Sequence, residues 1–524
     1  MRLISGSRAG ICLHRQSLWM TGDVFRLRFD GFRARRWFDL LALISLSVLS
    51  FLTLGYHPGF EDDGVYLAAV ERRVNPALFP HDFRFFTVQL QATIFDSFLG
   101  LWVRWTGMPV AWSELLWQSL AIVGILGAGL AIARALFADR SAQWAGVALL
   151  GAMFALPVSG TALYVVDQHL HPRTLATALI LGAVALVLRG RWRVAAGCLA
   201  LAFLFHPIMG ALGVSFCVFQ GLAGRGKLDW LNELRWPGAR PALILMPLGW
   251  MFEPPSAAWR EALSSRTYYF LFAWHWYEWL GALAPMALFW LLGRWAWRRG
   301  EVALARFAAG VFAYAVFQQA VAVAMTGPPE LIRLIPLQPM RYLHLVYIAM
   351  LLAGGALLGR FALKRRVWRW VVYLAVLNGG MYASQRAIFT GTAHLELPGL
   401  RSGNPWVQAF LWIRGNTPED AYFALDPRYL EAEGEDFHGF RALSERSALA
   451  DGVKDTAVCT QVPELADVWL RQTRAQAGFE HFGFEDFERL KREFGVDWVL
   501  VRYPAAPSLD CRWHNGLLTV CRIP

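Results

Sequence analysis

Long apolar runs dominate the first 390 residues of the chain. A helix needs roughly 20 apolar residues to cross the hydrocarbon core of a bilayer, where each backbone polar group must be satisfied within its own segment. The first run, residues 38–56, follows a leader with five arginines between positions 26 and 36. Basic residues mark the cytoplasmic side of a span, so the sequence predicts a cytoplasmic amino terminus and a retained signal-anchor.

The later basic clusters fix the number of crossings. Clusters near 189–193, 225–227, 294–299 and 360–366 should all be cytoplasmic. This parity requires two short helices that turn at His206-Pro207, and it predicts about eleven spans with the carboxy terminus outside. The apolar runs after the first are 113–137, 142–166, 173–189, 192–205, 207–223, 241–253, 279–297, 302–326, 342–360 and 367–386.

Charge divides the chain near residue 390. The net charge of +11 comprises +17 in the first 390 residues and −6 in the tail, of which about a quarter is charged, as in soluble proteins. Cytoplasmic basic loops explain the positive excess, so no nucleic-acid partner is implied. We therefore predict a mainly α fold: a basic cytoplasmic leader (1–36), a polytopic transmembrane helical bundle (37–390) with a long first external loop (57–112), and a small extracytoplasmic α/β domain (391–524).

Three adjacent acids, Glu61, Asp62 and Asp63, begin the first external loop, directly ahead of the helical pattern VYLAAVERR. An acid at this position is often only a helix cap that the macrodipole favours. An exposed carboxylate at a membrane surface can also act as a general base, or hold a divalent cation against a phosphate. The same loop supplies candidate phosphate ligands, with lipid-headgroup anchoring as the alternative: Arg72, His81 and Arg84.

Two later external loops add candidates. Asp167, His169 and His171 share a face if DQHLHPR is extended, and could then bind zinc or another cation, whereas polar loop residues are the simpler interpretation. A divalent metal is the one cofactor that the residues suggest. Arg333 and Arg341 could each hold a phosphate, because arginine offers a charge-assisted fork. The alternative for Arg341 is an interfacial residue whose charge reaches toward water.

The tail predicts a mixed domain. Residues 405–414, 463–477 and 484–494 have helical patterns, residues 421–425 and 496–501 are predicted strands, and Asn515-Gly516 is typical of a hairpin turn. That turn would set Cys511 opposite Val520 and diagonal to Cys521, so we expect one of these two cysteines to bond Cys459.

The chain resembles the GT-C class of integral membrane glycosyltransferases. The resemblance lies in an acidic pair after the first span, many later spans and a carboxy-terminal extracytoplasmic domain. The tail segment WIRGNTPEDA (412–421) is similar to one common in the soluble ends of such bacterial proteins. The segments RALSERSALADGVKD (441–455) and GVDWVLVR (495–502) also resemble uncharacterised bacterial multi-pass relatives of that class.

The resemblance implies an enzyme of the bacterial inner membrane that moves a sugar from a polyprenyl-phosphate donor to an extracytoplasmic acceptor. It implies Asp62 or Asp63 as the catalytic base, with Asp167 as a second acid, and membrane lipid and a polyprenyl-phosphate sugar as partners. A non-catalytic scaffold and a transporter or flippase of lipid-linked glycans are the alternatives. The near absence of charge within the spans favours the transferase over a transporter.

Overall fold

The computed structural model describes residues 21–233 and 255–524. The chain divides into two compact units, residues 1–46 and residues 47–524. In the first unit, residues 21–46 are helical. The predicted span 241–253 lies outside the described residues.

Helices form most of the chain before residue 390, and each apolar run in the described residues contains one. The run 142–166 is helical only as far as Ala152, because the chain then forms a two-stranded hairpin of β1 (Pro157–Val158) and β2 (Leu163–Tyr164). The main helices are Thr21–Leu54, Val110–Leu136, Arg140–Ala152, Pro172–Val187, Trp192–Phe205, Pro207–Gly224, Trp276–Arg298, Val302–Thr326, Leu343–Leu358 and Val367–Ile388.

Within the described ranges, five segments are long and apolar enough to cross a membrane. Two further apolar helices, Pro172–Val187 and Trp192–Phe205, are shorter. The chain thus has the helices of a multi-pass membrane protein, while the predicted count of eleven spans is not confirmed. The five segments are Trp37–Leu54, Val110–Leu136, Pro207–Gly224, Val302–Thr326 and Pro339–Leu363.

The predicted helix break at His206-Pro207 is confirmed. His206 is extended, and its Nδ1 accepts a hydrogen bond from the Met209 backbone N–H at 3.3 Å, while Pro207 occupies the first helical position. The two helices pack closely, since a Cβ on Gly210 would lie 2.4 Å from the Cα of Phe203.

Small residues also join two distant helices of the bundle. A Cβ on Gly146 would lie 2.5 Å from the carbonyl oxygen of Leu352, and one on Gly355 would lie 2.5 Å from that of Ala145. Small residues are enriched at helix contacts in membranes because they let backbones approach. Helices Arg140–Ala152 and Leu343–Leu358 therefore meet nearly backbone to backbone.

Short helices connect the long ones. In Phe95–Thr106, Leu99 and Val103 are buried while Leu101 and Trp105 are exposed, which suits a helix that lies along a membrane interface. The other short helices in this part of the chain are Asp63–Val74, Arg84–Thr87, Gln89–Ala92, Trp230–Glu233, Ala257–Ser264, Thr267–Tyr269, Leu271–Ala273, Pro329–Leu337, Pro339–Tyr342 and Gly359–Leu363.

The tail forms the expected α/β structure around a five-stranded sheet. The strands are β3 (Tyr422–Ala424), β4 (Ser447–Ala448), β5 (Trp498–Arg502), β6 (Asp510–His514) and β7 (Leu518–Arg522), in the order β4-β3-β5-β7-β6. Strand β3 pairs in parallel with β4 and β5, whereas β7 is antiparallel to β5 and β6. The helices are Pro405–Asn416, Tyr429–Glu431, Phe440–Ser444, Lys454–Gln461, Pro463–Leu465, Ala466–Ala475, Phe479–His481 and Phe484–Phe494.

The prediction that Cys459 forms a disulfide with Cys511 or Cys521 is wrong. Cys511 and Cys521 form a disulfide with each other, and Cys459 is a buried free thiol. The Asn515-Gly516 hairpin forms as predicted, but an irregularity between Cys511 and Trp513 inserts one extra residue into β6. This bulge sets Cys511 directly opposite Cys521 instead of diagonal to it.

The tail packs directly on the first loop. Phe60 forms a β-bridge with His438, and the Gly439 N–H donates to the Gly59 carbonyl oxygen at 2.8 Å. A Cβ on Gly439 would lie 2.5 Å from the Cα of Gly64, so both backbones need glycine at this approach. The contact brings tail residues beside the acids at 61–63.

Candidate functional site

The three predicted acids lie in different surroundings. Asp62 precedes the first residue of the helix Asp63–Val74, its side chain is 43% exposed, and it lines a cavity of about 290 Å³. Asp63 is 1% exposed, does not line that cavity, and accepts a hydrogen bond from the Gly59 N–H at 2.6 Å. Asp62 is therefore the acid that faces the cavity.

Burial raises the pKa of Asp63 well above its usual value, and the neighbouring carboxyl of Glu114 raises it further. Glu114 is itself buried at the start of the helix Val110–Leu136. Two adjacent buried carboxyls do not both ionise readily, so burial and the Glu114 contact disfavour the ionised form of Asp63.

Lys454 reaches the acids from the tail. Its Nζ lies 3.1 Å from Oδ1 of Asp62 and also contacts Oε2 of Glu61, while only 11% of its side chain is exposed. Burial lowers the pKa of Lys454, whereas the two carboxylates favour its charged form. The ammonium thus fixes Asp62 from one side.

One bidentate ion pair and two hydrogen bonds from backbone N–H groups hold the loop that carries Lys454. Arg441 donates to both carboxylate oxygens of Asp455 at 2.8 Å, and Asp455 also accepts from the Asp451 N–H at 2.9 Å. Asp451 in turn accepts from the Val453 N–H at 2.7 Å. The charged residues of the segment 441–455 therefore shape this loop.

His171 lies near Oδ2 of Asp62, the carboxylate oxygen opposite the one that Lys454 contacts. It precedes the helix Pro172–Val187, and its Nδ1 accepts from the Arg173 N–H at 2.9 Å. Burial lowers the pKa of His171, so the ring is neutral and carries its proton on Nε2, which lies 3.6 Å from Oδ2 of Asp62. The centre of the His206 ring lies 6.0 Å from the centre of the His171 ring.

Arg341 also lines the cavity and is held by a side chain of its own turn. Its Nε donates to Oε1 of Gln338 at 2.7 Å, and Gln338 donates to the Tyr269 hydroxyl at 2.9 Å. Gln338 has a φ of 48°, a left-handed conformation that turns the chain just before the membrane-length segment Pro339–Leu363. A carboxylate and a guanidinium thus face one cavity.

The predicted metal ligands are separated by other interactions. Asp167 pairs with Arg173 at 2.6 Å, and although burial opposes ionisation, the Arg173 charge lowers the pKa of Asp167 overall. His169 is buried beside the rings of Phe60 and His171. Across residues 21–233 and 255–524 no three His, Cys, Asp or Glu side chains are grouped to hold a metal ion. The prediction of a metal at Asp167, His169 and His171 finds no support in this geometry.

Four predicted phosphate ligands lie away from the cavity. Arg72 donates to the carbonyl oxygens of Leu78 and Phe79, and Arg84 pairs with Glu464 at 3.1 Å. The remaining two contact aromatic side chains: the His81 ring stacks on Tyr422, and the Arg333 guanidinium lies 5.1 Å from the centre of the Trp259 ring.

Several cavity residues were not predicted from the sequence. Lys454, His206 and Tyr66 come from a tail loop, a helix break and the first-loop helix. No spacing along the chain relates position 454 to position 62. Lys454 lies in the segment 441–455, which was noted for its resemblance to bacterial multi-pass proteins, but that resemblance assigned the lysine no role.

Comparison with known proteins gives little further information. No family model matches the sequence, and no curated protein matches it. The chain is similar to a solved structure described as "Archaeal oligosaccharyltransferase AglB from Archaeoglobus fulgidus in complex with an inhibitory peptide and a dolichol-phosphate". The TM-score is 0.41 with 11% sequence identity, over 89% of this chain and 70% of that chain. The likeness is weak.

Proposed function

We propose that the chain is an integral membrane glycosyltransferase that moves a sugar from a polyprenyl-phosphate-linked donor to an extracytoplasmic acceptor, with Asp62 as the base. The observation that supports this most directly is that Asp62 and Arg341 line the same cavity of about 290 Å³. Such a transfer needs a proton acceptor for the attacking hydroxyl and a cation for the leaving phosphate.

The choice of Asp62 over its neighbours follows from exposure and protonation. Asp63 is buried and does not line the cavity, and burial raises its pKa, which disfavours the ionised form that a general base requires. Glu61 is held by Lys454 and does not line the cavity. Asp62 is the acid of the three that lies within reach of a molecule in the cavity.

The proposed step is a single displacement. The acceptor oxygen attacks the anomeric carbon as the bond from that carbon to the phosphate oxygen breaks, and Asp62 takes the acceptor's proton. Polyprenyl phosphate leaves with the electron pair of the broken bond, and the anomeric centre inverts. Arg341 stabilises the phosphate charge by a charge-assisted hydrogen bond. Lys454 and His171 act as positioning residues that hold the Asp62 carboxylate.

The test compares two neighbouring acids. Membranes that contain the protein are incubated with radiolabelled glucose, mannose or galactose linked to polyprenyl phosphate, and label transferred to endogenous acceptors is measured. Asp62→Asn is expected to lower transfer by at least about a thousandfold, since it removes the base and leaves only positioning. Asp63→Asn is the matched control: it makes the same change in an adjacent acid that does not line the cavity, and it should retain most transfer.

Arg341→Gln should weaken binding of polyprenyl phosphate itself, whereas Asp62→Asn should not. Full transfer by Asp62→Asn would reject the base assignment. If Asp63→Asn lost transfer while Asp62→Asn retained it, the base would be Asp63 instead of Asp62. A protein that transfers none of the three sugars yet moves labelled lipid across a bilayer would be a transporter or flippase.

A further inference from the structure

A second and larger cavity lies beside the same first-loop helix. It measures about 760 Å³ and is lined by side chains of the first loop, the helix Val110–Leu136, the segment 393–402 and the tail. Most of its wall is apolar, including Leu67, Leu78, Val103, Leu395 and Leu411. A cavity of this size and lining suits a lipid-sized ligand.

The helix Asp63–Val74 separates this cavity from the one at Asp62. Val65 and Tyr66 line the smaller cavity, whereas Leu67, Glu71 and Val74 line the larger one. Residues advance by about 100° per position on a helix, so these two sets lie on opposite faces. The larger cavity is therefore a distinct site and not an extension of the first.

One buried carboxyl in the larger cavity has an oxygen atom without a hydrogen-bond partner. Glu71 is 6% exposed, and its Oε2 has no hydrogen-bond partner among the described residues. A buried polar atom left without a partner is destabilising, and a ligand that donates a hydrogen bond to it would remove that cost. Glu114, also buried, lines the same cavity.

The charges around Glu71 select the sign of that ligand. Burial raises the pKa of Glu71 well above its usual value, and the negative charge of Glu445 raises it further. Arg414 is nearby but is already paired with Glu445 at 2.5 Å. Arg104 and Arg401 also line the cavity, and Arg104 donates to the Arg73 carbonyl oxygen. A cation placed at Glu71 would favour its ionised form and gain an ion pair, whereas an anion at that carboxyl would meet the charges of Glu71 and Glu445.

The surroundings of the cavity indicate that the ligand comes from the membrane. Its wall includes Met108, Pro109 and Val110, where a membrane-length helix begins. Leu101, Trp105 and Trp112, which flank this point, are exposed on the surface. Exposed tryptophan and leucine next to a span are typical of a membrane interface.

We propose that this cavity binds a membrane lipid that carries a protonated amine, with the acyl chain against the apolar wall and the amine on Glu71. This site goes beyond the proposed sugar transfer, because it faces away from Asp62 and needs no reaction. Arg401, at the exposed end of the cavity lining, is available to a phosphate next to such an amine.

The experiment measures binding to the full-length protein in a neutral detergent. The probes are dodecylamine, dodecanol and dodecanoate, which share a chain, and ethanolamine, which lacks one. The amine should bind at least about tenfold more tightly than the alcohol, and more tightly still than the carboxylate, because only the amine forms the charged hydrogen bond. Ethanolamine should not compete, which distinguishes a lipid from a small soluble amine.

Variants then locate the site. Glu71→Gln keeps the shape and should lower dodecylamine affinity roughly tenfold to hundredfold while leaving dodecanol binding unchanged. Leu67→Trp fills the apolar cavity and should weaken both. Asp62→Asn, on the opposite face, should change neither, so failure of the transferase proposal would not affect this result. Equal binding of amine and alcohol to the unaltered protein, or an amine affinity that survives both Glu71→Gln and Leu67→Trp, would overturn the proposal.

Discussion

Replacing Asp455 with asparagine should loosen the tail loop that carries Lys454. In the structure the Asp455 carboxylate is fully buried and receives three hydrogen bonds: two from the Arg441 guanidinium at 2.8 Å and one from the Asp451 N–H at 2.9 Å. An asparagine fits the same space, but its NH₂ group must face either a guanidinium N–H or a backbone N–H, and so cannot accept from it.

The expected cost follows from these contacts. The change leaves the Arg441 charge buried without its partner, a perturbation that costs about 3–5 kcal/mol when one member of a buried ion pair is removed. Arg441 also stacks over Phe85 and Phe86 of the first loop, so a displaced guanidinium would disturb the contact between loop and tail. An opening free energy lowered by about 3 kcal/mol corresponds to roughly a hundredfold faster exchange of the protected amides.

Hydrogen exchange read by mass spectrometry on a peptide that covers residues 449–455 is the direct assay. The matched control is Asp486→Asn, which breaks an ion pair with Arg489 at 3.2 Å whose two side chains are nearly half exposed. Exposed pairs contribute about 0.2–1 kcal/mol, so this variant should change exchange only slightly. If Asp455→Asn and Asp486→Asn had equally small effects on exchange, the reasoning from burial would be refuted.

Two further results are expected from ion pairing and from packing. Although burial opposes both charges, pairing raises the pKa of His438 to about 9 and lowers that of Glu396 to about 2. The stability from His438 is complete below about pH 6.5 and lost as the pH rises through about 9; that from Glu396 is complete above about pH 4.5 and lost as the pH falls toward about 2. The difference in unfolding midpoint between the unaltered protein and Glu396→Gln should thus be largest near pH 5.5, and a difference that grows toward pH 10 would contradict the pairing. Gly355→Ala should destabilise the helix contact at Ala145 by about 1–3 kcal/mol, whereas Gly354→Ala, whose Cβ would meet nothing within 4 Å, should stabilise by up to about 1 kcal/mol; thermal unfolding of both variants checks the sign.

Local patterns in the sequence predicted the local structure well. Each apolar run that the structure describes contains a helix, although the run 142–166 is helical only as far as Ala152. The break at His206-Pro207 is present, and the tail hairpin turns at Asn515-Gly516. Each of these features depends on neighbours along the chain: periodicity, a proline at a helix start, or a turn that needs a left-handed glycine. The prediction of the disulfide pairing was wrong because it assumed a regular hairpin, and the bulge in β6 leaves no clear mark in the sequence.

The site was predictable only in part because it is assembled from distant segments. Asp62, His171 and Arg341 were candidates by their type and loop, and the structure brings these three to one cavity. Arg72 and Arg84 were candidates on the same grounds but are used by backbone carbonyls and by Glu464. Residue type alone cannot separate these outcomes, because the partner of each arginine lies in tertiary structure.

The helix Asp63–Val74 forms a wall of both cavities, with Val65 and Tyr66 on one and Leu67 and Glu71 on the other. A molecule that shifts this short helix from one face must alter the shape of the site on the other face. By thermodynamic reciprocity, if lipid at Glu71 changes the affinity of the Asp62 cavity for its ligand by some factor, that ligand changes lipid affinity by the same factor. One twelve-residue helix thereby gives the composition of the surrounding bilayer a route to regulate occupancy beside Asp62.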